Sequence, residues 1–383
     1  MKRRLADMPL HRGKAPPWLF RRMARMAGGI TMAVVDTFGS LEMLRRLADP
    51  WWFQAFGCVL GFDWHSSGLT TVTCGALKEA QRIFGDDLGI FVAGGKGSTS
   101  RRTPTEIKAA ADRHGISQGD RLIFASKMSA KVDSAAVQDG YQLYHHSFVF
   151  TRDAAWCVVQ QGMNDATSRA RRYHWLSQTL DNFVCEPHEA IHDGSGAPMI
   201  NRDSIRLNMV AHEAQANRKA SSAVARLNPD HVMDQLRHLT DGPTLFAPSH
   251  HPVLTQDINV DHLRRIIRTT HEQHPSDFVA LLGTQGVGPA TVRSLSLLAE
   301  LIFDAPSSNR DLTPRPDAMP SHEPPRWADY AFAHGGKDGT PFPVDRKNYD
   351  RNIEILVDAV RRARIGDQDK TEALRRLARR YRS

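Results

Sequence analysis

Residues 275–303 read PSDFVALLGTQGVGPATVRSLSLLAELIF, and this stretch predicts two helices joined by a tight glycine hairpin. Ser276 is the predicted cap of the first helix. Gly286 and Gly288 flank the reversal of the chain, where glycine permits unusual φ values and close backbone approach. Pro289 opens the second helix at a position where its missing N–H costs nothing. The predicted buried residues of the two helices, at helical spacing, are Phe278, Leu281, Leu282, Val292, Leu295, Ala299 and Ile302.

The stretch resembles the helix-hairpin-helix of DNA repair glycosylases, nucleases and ligases, which binds the backbone of duplex DNA without reading its sequence. Free N–H groups at the hairpin and at the start of the second helix suit phosphate oxygens, while Val287 anchors the hairpin in the core. The residues predicted at this DNA contact are Gly286, Val287, Gly288, Thr291 and Arg293. The alternative interpretation is an ordinary αα-hairpin with a glycine turn.

Around this element, the chain is predicted to contain an α/β N-terminal domain and a predominantly α-helical domain that includes the helix-hairpin-helix. Helix-like and strand-like runs alternate between about residues 60 and 165, which is typical of an α/β domain. The predicted boundaries are 1–185 for a catalytic α/β domain, 200–304 for the helical domain, and 305–383 for an irregular segment followed by basic C-terminal helices. A linker is expected at 194–204, GSGAPMINRDS.

The composition favours an anionic partner. The 383 residues include 50 Lys+Arg against 42 Asp+Glu, a net charge of +8, which favours nucleic acid over a role in solubility alone. The four cysteines form no C-x-x-C pair, so reduced thiols are expected. No window approaches the apolar length of a membrane span, and a cytoplasmic protein without a membrane partner is expected.

The densest group of reactive side chains lies between residues 126 and 174 and is the predicted catalytic region of a nuclease or phosphodiesterase. His146, Asp153 and Gly162-Met163-Asn164 are similar to the H-x-K, Asp and G-S-x-N pattern of phospholipase-D-type enzymes, in which a His attacks phosphorus. Phe148 occupies the Lys position, and the Gly-to-Asn spacing differs. The candidate catalytic residues here are His145, His146 and Asn164, together with Asp133 and Asp139.

Two alternatives concern how these residues act. Asp133 and Asp139, with a nearby His, are candidate ligands for Mg²⁺ or Mn²⁺ in metal-assisted hydrolysis, although such carboxylates also occur on solvated loops. The segment 303–311 resembles the turn after the hairpin in base-excision glycosylases, which places Asp311 at the position of their catalytic Asp. Ala290 stands where bifunctional members carry a Lys, which argues against a Schiff-base reaction.

Three further patterns are weaker. His188-Glu189-Ala190-Ile191-His192 matches H-E-x-x-H but is flanked by Pro and Gly, which leaves little helix for a zinc site. Gly94-Gly95-Lys96-Gly97 predicts a phosphate contact through Lys96 or a plain turn. In the run 169–175, Arg171 and Arg172 are predicted DNA-phosphate contacts beside stacking aromatic rings. The alternative for that run is an amphipathic helix with Trp175 in the core.

Several long strings resemble a prokaryotic family called domain of unknown function 763. They are PLHRGKAPPWLFRRM at 9–23, DPWWFQAFGCVLGFDWHSSG at 49–68, GGKG with SRRTP at 94–104, AKVDSAAVQDGYQLYHH at 130–146, QQGMN at 160–164, ARRYHW at 170–175 and GGKDGTPFPV at 335–344. The resemblance implies no activity. The residues themselves predict a DNA-processing protein, a repair-type nuclease; the alternatives are a base-excision glycosylase using Asp311 and a DNA-binding protein without catalysis.

Overall fold

The computed structural model describes residues 8–10, 15–62, 66–192, 207–240 and 260–312. The predicted linker at 194–204 and the predicted basic C-terminal helices lie outside the described residues. None of the helices within the described ranges has the length and apolar content that a bilayer crossing requires.

An antiparallel sheet forms the centre of the fold. Its strands are β1 (Phe91–Lys96), β3 (Gln142–Phe150), β4 (Trp156–Asn164), β5 (Arg169–Leu176) and β6 (Ala190–His192), paired in that order. The sequence of residues 141–162 predicts two strands around a turn at Arg152 and Asp153, and β3 and β4 flank that turn. A separate two-stranded ladder joins β2 (Val137–Gln138) to β7 (Leu207–Asn208). Every neighbouring pair of strands in both sheets is antiparallel, so the alternation of helices and strands reflects a mixed fold and not the parallel sheet of consecutive βαβ units.

β5 corrects the helical interpretation of the run 169–175. Trp175 faces the same side of the sheet as Phe148, whereas Leu176 faces the other side. Both sides of this strand are buried, so polar and apolar residues do not alternate along it as they do in a half-exposed strand. The helical spacing of its arginines and aromatic residues is therefore coincidental.

In the part of the chain that the structure describes, four helices cover the first face of the sheet: α1 (Pro17–Phe38), α2 (Ser40–Ala48), α3 (Pro50–Val59) and α4 (Gly68–Phe84). They pack against Val92, Val149 and Cys157. Asp49 separates α2 from α3 and caps α3, because its carboxylate accepts the N–H of Trp51 at 2.8 Å.

The second face is covered by helices from two parts of the chain. These helices are α5 (Thr103–His114), α6 (Gly119–Lys131), α7 (Gln215–Val224), α8 (Pro229–Thr240), α9 (Val260–Gln273), α10 (Phe278–Gly283) and α11 (Pro289–Phe303). Phe148 and Phe150 of the sheet share one hydrophobic core with Leu281 of α10 and Leu295 of α11. The helices after residue 207 therefore pack on the sheet itself and complete its second layer.

α10 and α11 are joined by a short turn with two glycines. The side chain of Asp277, and not that of Ser276, caps α10 by accepting the N–H of Ala280 at 2.8 Å. Gly286 has a φ of 88°, which favours glycine, and Val287 is 0% exposed in the core. The predicted buried stripe of α11 is correct except at its end, where Ile302 is 43% exposed.

The free edge of β1 is covered by side chains. Gln81 accepts the N–H of Val92 at 2.7 Å, and Glu106 accepts the N–H of Gly94 at 2.8 Å. Lys78 donates to the carbonyl of Gly94 at 2.7 Å and pairs with Glu106 at 2.6 Å. Three outward backbone groups of this strand are thus bonded to side chains of the molecule.

Polar side chains are concentrated at one end of the sheet, which we call the polar end. It consists of the last residue of β1, the first half of β3, the second half of β4, and the first five residues of β5. The polar side chains there include Lys96, Tyr144, His145, His146, Gln160, Gln161, Asn164, Arg171, Arg172 and Tyr173. The opposite end carries Phe91, Phe150, Trp156 and Leu176 and is apolar.

Candidate functional site

A π-helical turn at the end of α6, Val132–Ala136, brings Asp133 into the protein interior. Its carboxylate is 1% exposed and accepts from Trp175 Nε1 at 2.9 Å, Gln160 Nε2 at 2.5 Å and His188 Nε2 at 2.5 Å. Burial raises the pKa of Asp133, while His188 and Trp175 oppose that rise. π-helical turns are rare and recur at functional sites, which makes this turn notable.

His146 is linked to Asp133 through Gln160, whose side chain forms hydrogen bonds with both residues. Its Nδ1 is 2.8 Å from Gln160 Oε1, and its Nε2 is 2.9 Å from Ser126 Oγ. Because an amide oxygen only accepts, Nδ1 carries the proton and Nε2 accepts from the serine. Burial lowers the pKa of His146 to about 4, so the ring is neutral at pH 7. Asp133 and His146 are therefore brought together as predicted, but both are enclosed by protein.

A second part of the same face contains an arginine bridge. Arg171 donates through Nη1 to Asp139 at 2.9 Å and to Asp311 at 2.8 Å, and through Nη2 to Asp311 at 3.2 Å. Tyr173 donates to Asp139 at 2.8 Å, and the guanidinium carbon of Arg171 lies 4.8 Å from the ring centre of Tyr141. Burial would lower the pKa of Arg171, but Asp139 and Asp311 outweigh it and raise that pKa.

This bridge changes two predictions. Asp139 was predicted as a nuclease residue and Asp311 as a glycosylase residue, but both carboxylates form ion pairs with Arg171. The side chain of Asp311 is 28% exposed. Arg171 is buried with these carboxylates, so its predicted contact with DNA phosphate is wrong for this arrangement. A buried arginine paired with carboxylates organises a site from within.

His145 and Arg172 lie on the opposite face of the sheet from His146. Arg172 is 0% exposed and donates to His174 Nε2 at 2.8 Å, Gln54 Oε1 at 3.1 Å and Thr70 Oγ1 at 3.2 Å. Burial lowers its pKa to about 9. Burial likewise lowers the pKa of His145 to about 3. The prediction of Arg172 as a phosphate contact is therefore wrong, and His145 is separated from Asp133 by the sheet.

Lys96 and Asn164 occupy the rim of the polar end. Lys96 is exposed, and its Nζ lies 5.6 Å from the ring centre of Tyr144, which a β-bulge turns toward Gln161. Asn164 accepts the N–H of Thr167 at 3.1 Å. Since His146 pairs with Gln160, Asn164 lies about 13 Å further along β4 and does not join His146.

The hairpin contacts the segment that carries Asp133 and Asp139. Lys131 donates to the carbonyl of Val287, and Gln138 Nε2 donates to the carbonyl of Pro289 at 2.9 Å. Burial lowers the pKa of Lys131. Two carbonyls of the hairpin are thus held on its inner side. Thr291 and Arg293 were both predicted to contact DNA. Thr291 is buried and packs inside the protein, whereas Arg293 is half-buried.

The H-E-x-x-H string does not form a zinc site. Residues 190–192 belong to β6, and His188 precedes that strand instead of lying on a helix. His188 binds Asp133 on the second face, whereas His192 pairs in register with Arg172. In the described ranges, no three His, Cys, Asp or Glu side chains are grouped as metal ligands.

Some of the residues that build this site were not among the predicted catalytic residues. Ser126, Gln160, Tyr173 and His188 complete the hydrogen bonds around His146, Asp133 and Asp139. Alternation along 171, 173 and 175 is the one signal that places Tyr173 and Arg171 beside Trp175, provided that the run is recognised as a strand.

The fold and the site define a mixed α/β protein in which an antiparallel sheet, covered by helices on both faces, holds buried polar clusters at one end. The chain belongs to the family described as "Protein of unknown function (DUF763)", whose model matches residues 4–344. No curated protein and no solved structure matches the chain.

Proposed function

We propose that the protein binds the backbone of duplex DNA at the turn between α10 and α11 and processes the bound DNA at the adjoining polar end. The observation that carries this proposal is the turn itself, in which Val287 is buried while Gly286 is exposed. The anchored valine fixes the turn, and the glycines leave its backbone open to a large anionic partner.

The start of α11 supplies the attraction for phosphate. Gly288 is the N-cap of this 15-residue helix, and the N–H groups of its first turn have no acceptor within the helix. Their dipoles favour a negative charge at this position. Arg265 and Arg268 are exposed on α9, whose Ile266 lies against Gly286, and they add positive charge near the turn.

The reaction is supported by the position of two carboxylates. Asp139 follows Gln138, which bonds to the hairpin, and Asp311 shares Arg171 with Asp139. Asp139 and Asp311, and not the enclosed His146, are therefore the candidate catalytic residues for hydrolysis of the phosphodiester backbone. Mg²⁺ or Mn²⁺ is the candidate cofactor. Glycosylase chemistry at Asp311 is the second candidate, because this side chain is the more exposed of the two carboxylates.

Binding is tested with Gly288→Leu. A Cβ at Gly288 meets no atom closer than 3.9 Å, and its φ is −139°, so the fold tolerates a side chain that blocks the turn. Gly283→Leu is the matched control, because a Cβ there also has its nearest atom at 3.9 Å. We expect G288L to bind blunt duplex at least about tenfold more weakly than G283L, with wild-type affinity falling steeply as salt rises. Equal affinities would refute the proposal.

Incubation of the protein with labelled DNA distinguishes the nuclease reaction from the glycosylase reaction. Labelled duplexes, intact or containing uracil or an oxidised base, are incubated with and without EDTA. Backbone cleavage that EDTA abolishes and that Asp139→Asn reduces supports the nuclease. Release of free base from an intact backbone, lost in Asp311→Asn, supports the glycosylase. Retained binding without any product supports a DNA-binding protein and removes the catalytic part of the proposal.

A further inference from the structure

The positive charge of the chain is concentrated at its beginning. Residues 1–26 contain eight Lys and Arg residues and one Asp, a net charge of +7, whereas the whole chain carries +8. The remaining residues are therefore close to neutral as a set. Three of these eight cations, Arg21, Arg22 and Arg25, lie within the residues that the structure describes.

α1 presents part of this charge as a stripe. Trp18, Arg21, Arg22 and Arg25 follow the i, i+3, i+4, i+7 spacing that places residues on one side of a helix. They line a recess of about 330 Å³, in which the guanidinium carbon of Arg22 lies 5.8 Å from the ring centre of Trp18. The other side of the helix is buried in the core through Leu19, Met23 and Met26. We call these four residues the basic stripe.

The basic stripe lies toward the polar end of the sheet. α1 runs parallel to α4, since Phe20 lies near Gly75 and Gly28 lies against Phe84. α4 begins beside the polar end, where Gln161 donates to the carbonyl of Ser67 at 2.9 Å. The N-terminal half of α1, which carries the stripe, is therefore directed to that end.

The segment before α1 is fixed at the same end. The N–H of Leu10 donates to Ser168 at 3.0 Å, and the N–H of Ala170 donates to Met8 at 2.9 Å, next to Arg171. The hairpin is held at this end through Gln138, but on the second face of the sheet. The basic stripe and the hairpin thus lie on opposite faces of the sheet, and both are directed toward its polar end.

This arrangement restricts what the stripe can bind. Duplex DNA has a persistence length of about 150 base pairs, so its stiffness opposes a bend around the end of one sheet that would bring it to both faces. A single strand is flexible enough to make this bend. Arginines that neutralise phosphates beside an aromatic ring that stacks on a base are the common features of single-strand binding.

We infer that the basic stripe of α1 binds a single strand that continues from the duplex held at the hairpin, so that the substrate class is duplex DNA with a single-stranded tail. This inference rests on the proposed function. The duplex contacts the hairpin on the second face, the junction lies at the polar end beside Asp139 and Asp311, and the tail follows α1 on the first face.

The test compares three fluorescently labelled DNAs by anisotropy: a blunt duplex, a single strand and a tailed duplex. The variant is Arg21→Glu with Arg25→Glu. The matched control is Arg113→Glu with Arg121→Glu, which makes the same charge change on exposed arginines near the apolar end. Thermal melts verify that both double variants remain folded.

We expect R21E/R25E to bind the single strand and the tailed duplex about tenfold more weakly than R113E/R121E, with blunt-duplex affinity within about twofold. G288L should show the reverse, a loss for blunt duplex and retained single-strand binding. Equal single-strand affinities for the two double variants would overturn the inference. So would binding of anionic phosphatidylserine vesicles that R21E/R25E abolishes while single-strand binding persists.

One further outcome separates this inference from the proposed function. If G288L binds blunt duplex normally while R21E/R25E loses the single strand, the hairpin is not the duplex site and the tailed substrate is overturned. If G288L loses duplex binding and R21E/R25E changes nothing, the proposed function stands and the inference fails.

Discussion

At the scale of single residues, His146 illustrates how enclosure controls charge. The ring is sealed between Ser126 and Gln160, and burial lowers its pKa to about 4. In the unfolded chain a histidine has a pKa of about 6.5. Protons therefore bind to the unfolded chain first as the pH falls, and acid favours unfolding at this residue.

The first prediction concerns this dependence on pH. Between about pH 6.5 and pH 4, His146 should reduce the free energy of unfolding by about 3 kcal/mol in total, because only the unfolded state takes up its proton. Above pH 6.5 the contribution is constant. His146→Gln should remove this part of the slope, measured by urea unfolding at several pH values. A wild-type slope in H146Q would contradict the assignment.

At the scale of elements, a glycine within β1 and a glycine directly after it have different roles. Gly94 has a φ of 91°, and a Cβ there would lie 2.2 Å from the carbonyl oxygen of His146 and 2.7 Å from Thr103 Oγ1. Gly97 has a φ of 60° and no atom within 4 Å of its Cβ position. The first glycine permits close packing against β3, and the second only permits the turn.

The second prediction compares these glycines. Gly94→Ala should destabilise the protein by about 3 kcal/mol or more, because backbone strain and overpacking add. Gly97→Ala should cost about 1 kcal/mol, from its positive φ alone. Urea midpoints measure both effects. Similar losses of unfolding free energy in the two variants would show that β3 shifts to make room for the added methyl group.

The sequence predicts those elements whose patterns are local. Helical periodicity and capping residues predict the helices at 17–48 and 103–114. Local residue patterns likewise predict the turn between β3 and β4 and the glycine turn before α11. β5 is missed because polar side chains fill buried positions on both of its faces. The bridge from Asp139 through Arg171 to Asp311 is missed for another reason: Asp311 is 140 residues from Arg171 along the chain, and only tertiary packing joins them.

At the scale of the whole molecule, the second face of the sheet unites segments that composition assigned to separate domains. Leu295 of α11 is fully buried in the core that contains Phe148 and Trp175. Unfolding of the late helices must therefore expose one side of the sheet, and the described part of the chain should lose its structure cooperatively.

The third prediction tests this coupling. Leu295→Ala should lower the free energy of unfolding by about 2–5 kcal/mol, as for other buried leucines. The loss should appear equally in tryptophan fluorescence, to which Trp156 and Trp175 of the sheet contribute, and in far-UV circular dichroism. Leu301→Ala, at an exposed position of the same helix, should change stability by less than about 0.5 kcal/mol. A fluorescence transition that stays in place while the dichroism transition moves would show two independent domains.

The covered edge of β1 has a consequence for encounters between molecules. A strand from a second copy could extend the sheet only after displacing Gln81, Glu106 and Lys78 from their backbone partners. The other outer strand, β6, has only three residues and offers a short template. Edge-to-edge aggregation is therefore opposed at both sides of the sheet, so that at high concentration the protein resists forming extended cross-β assemblies.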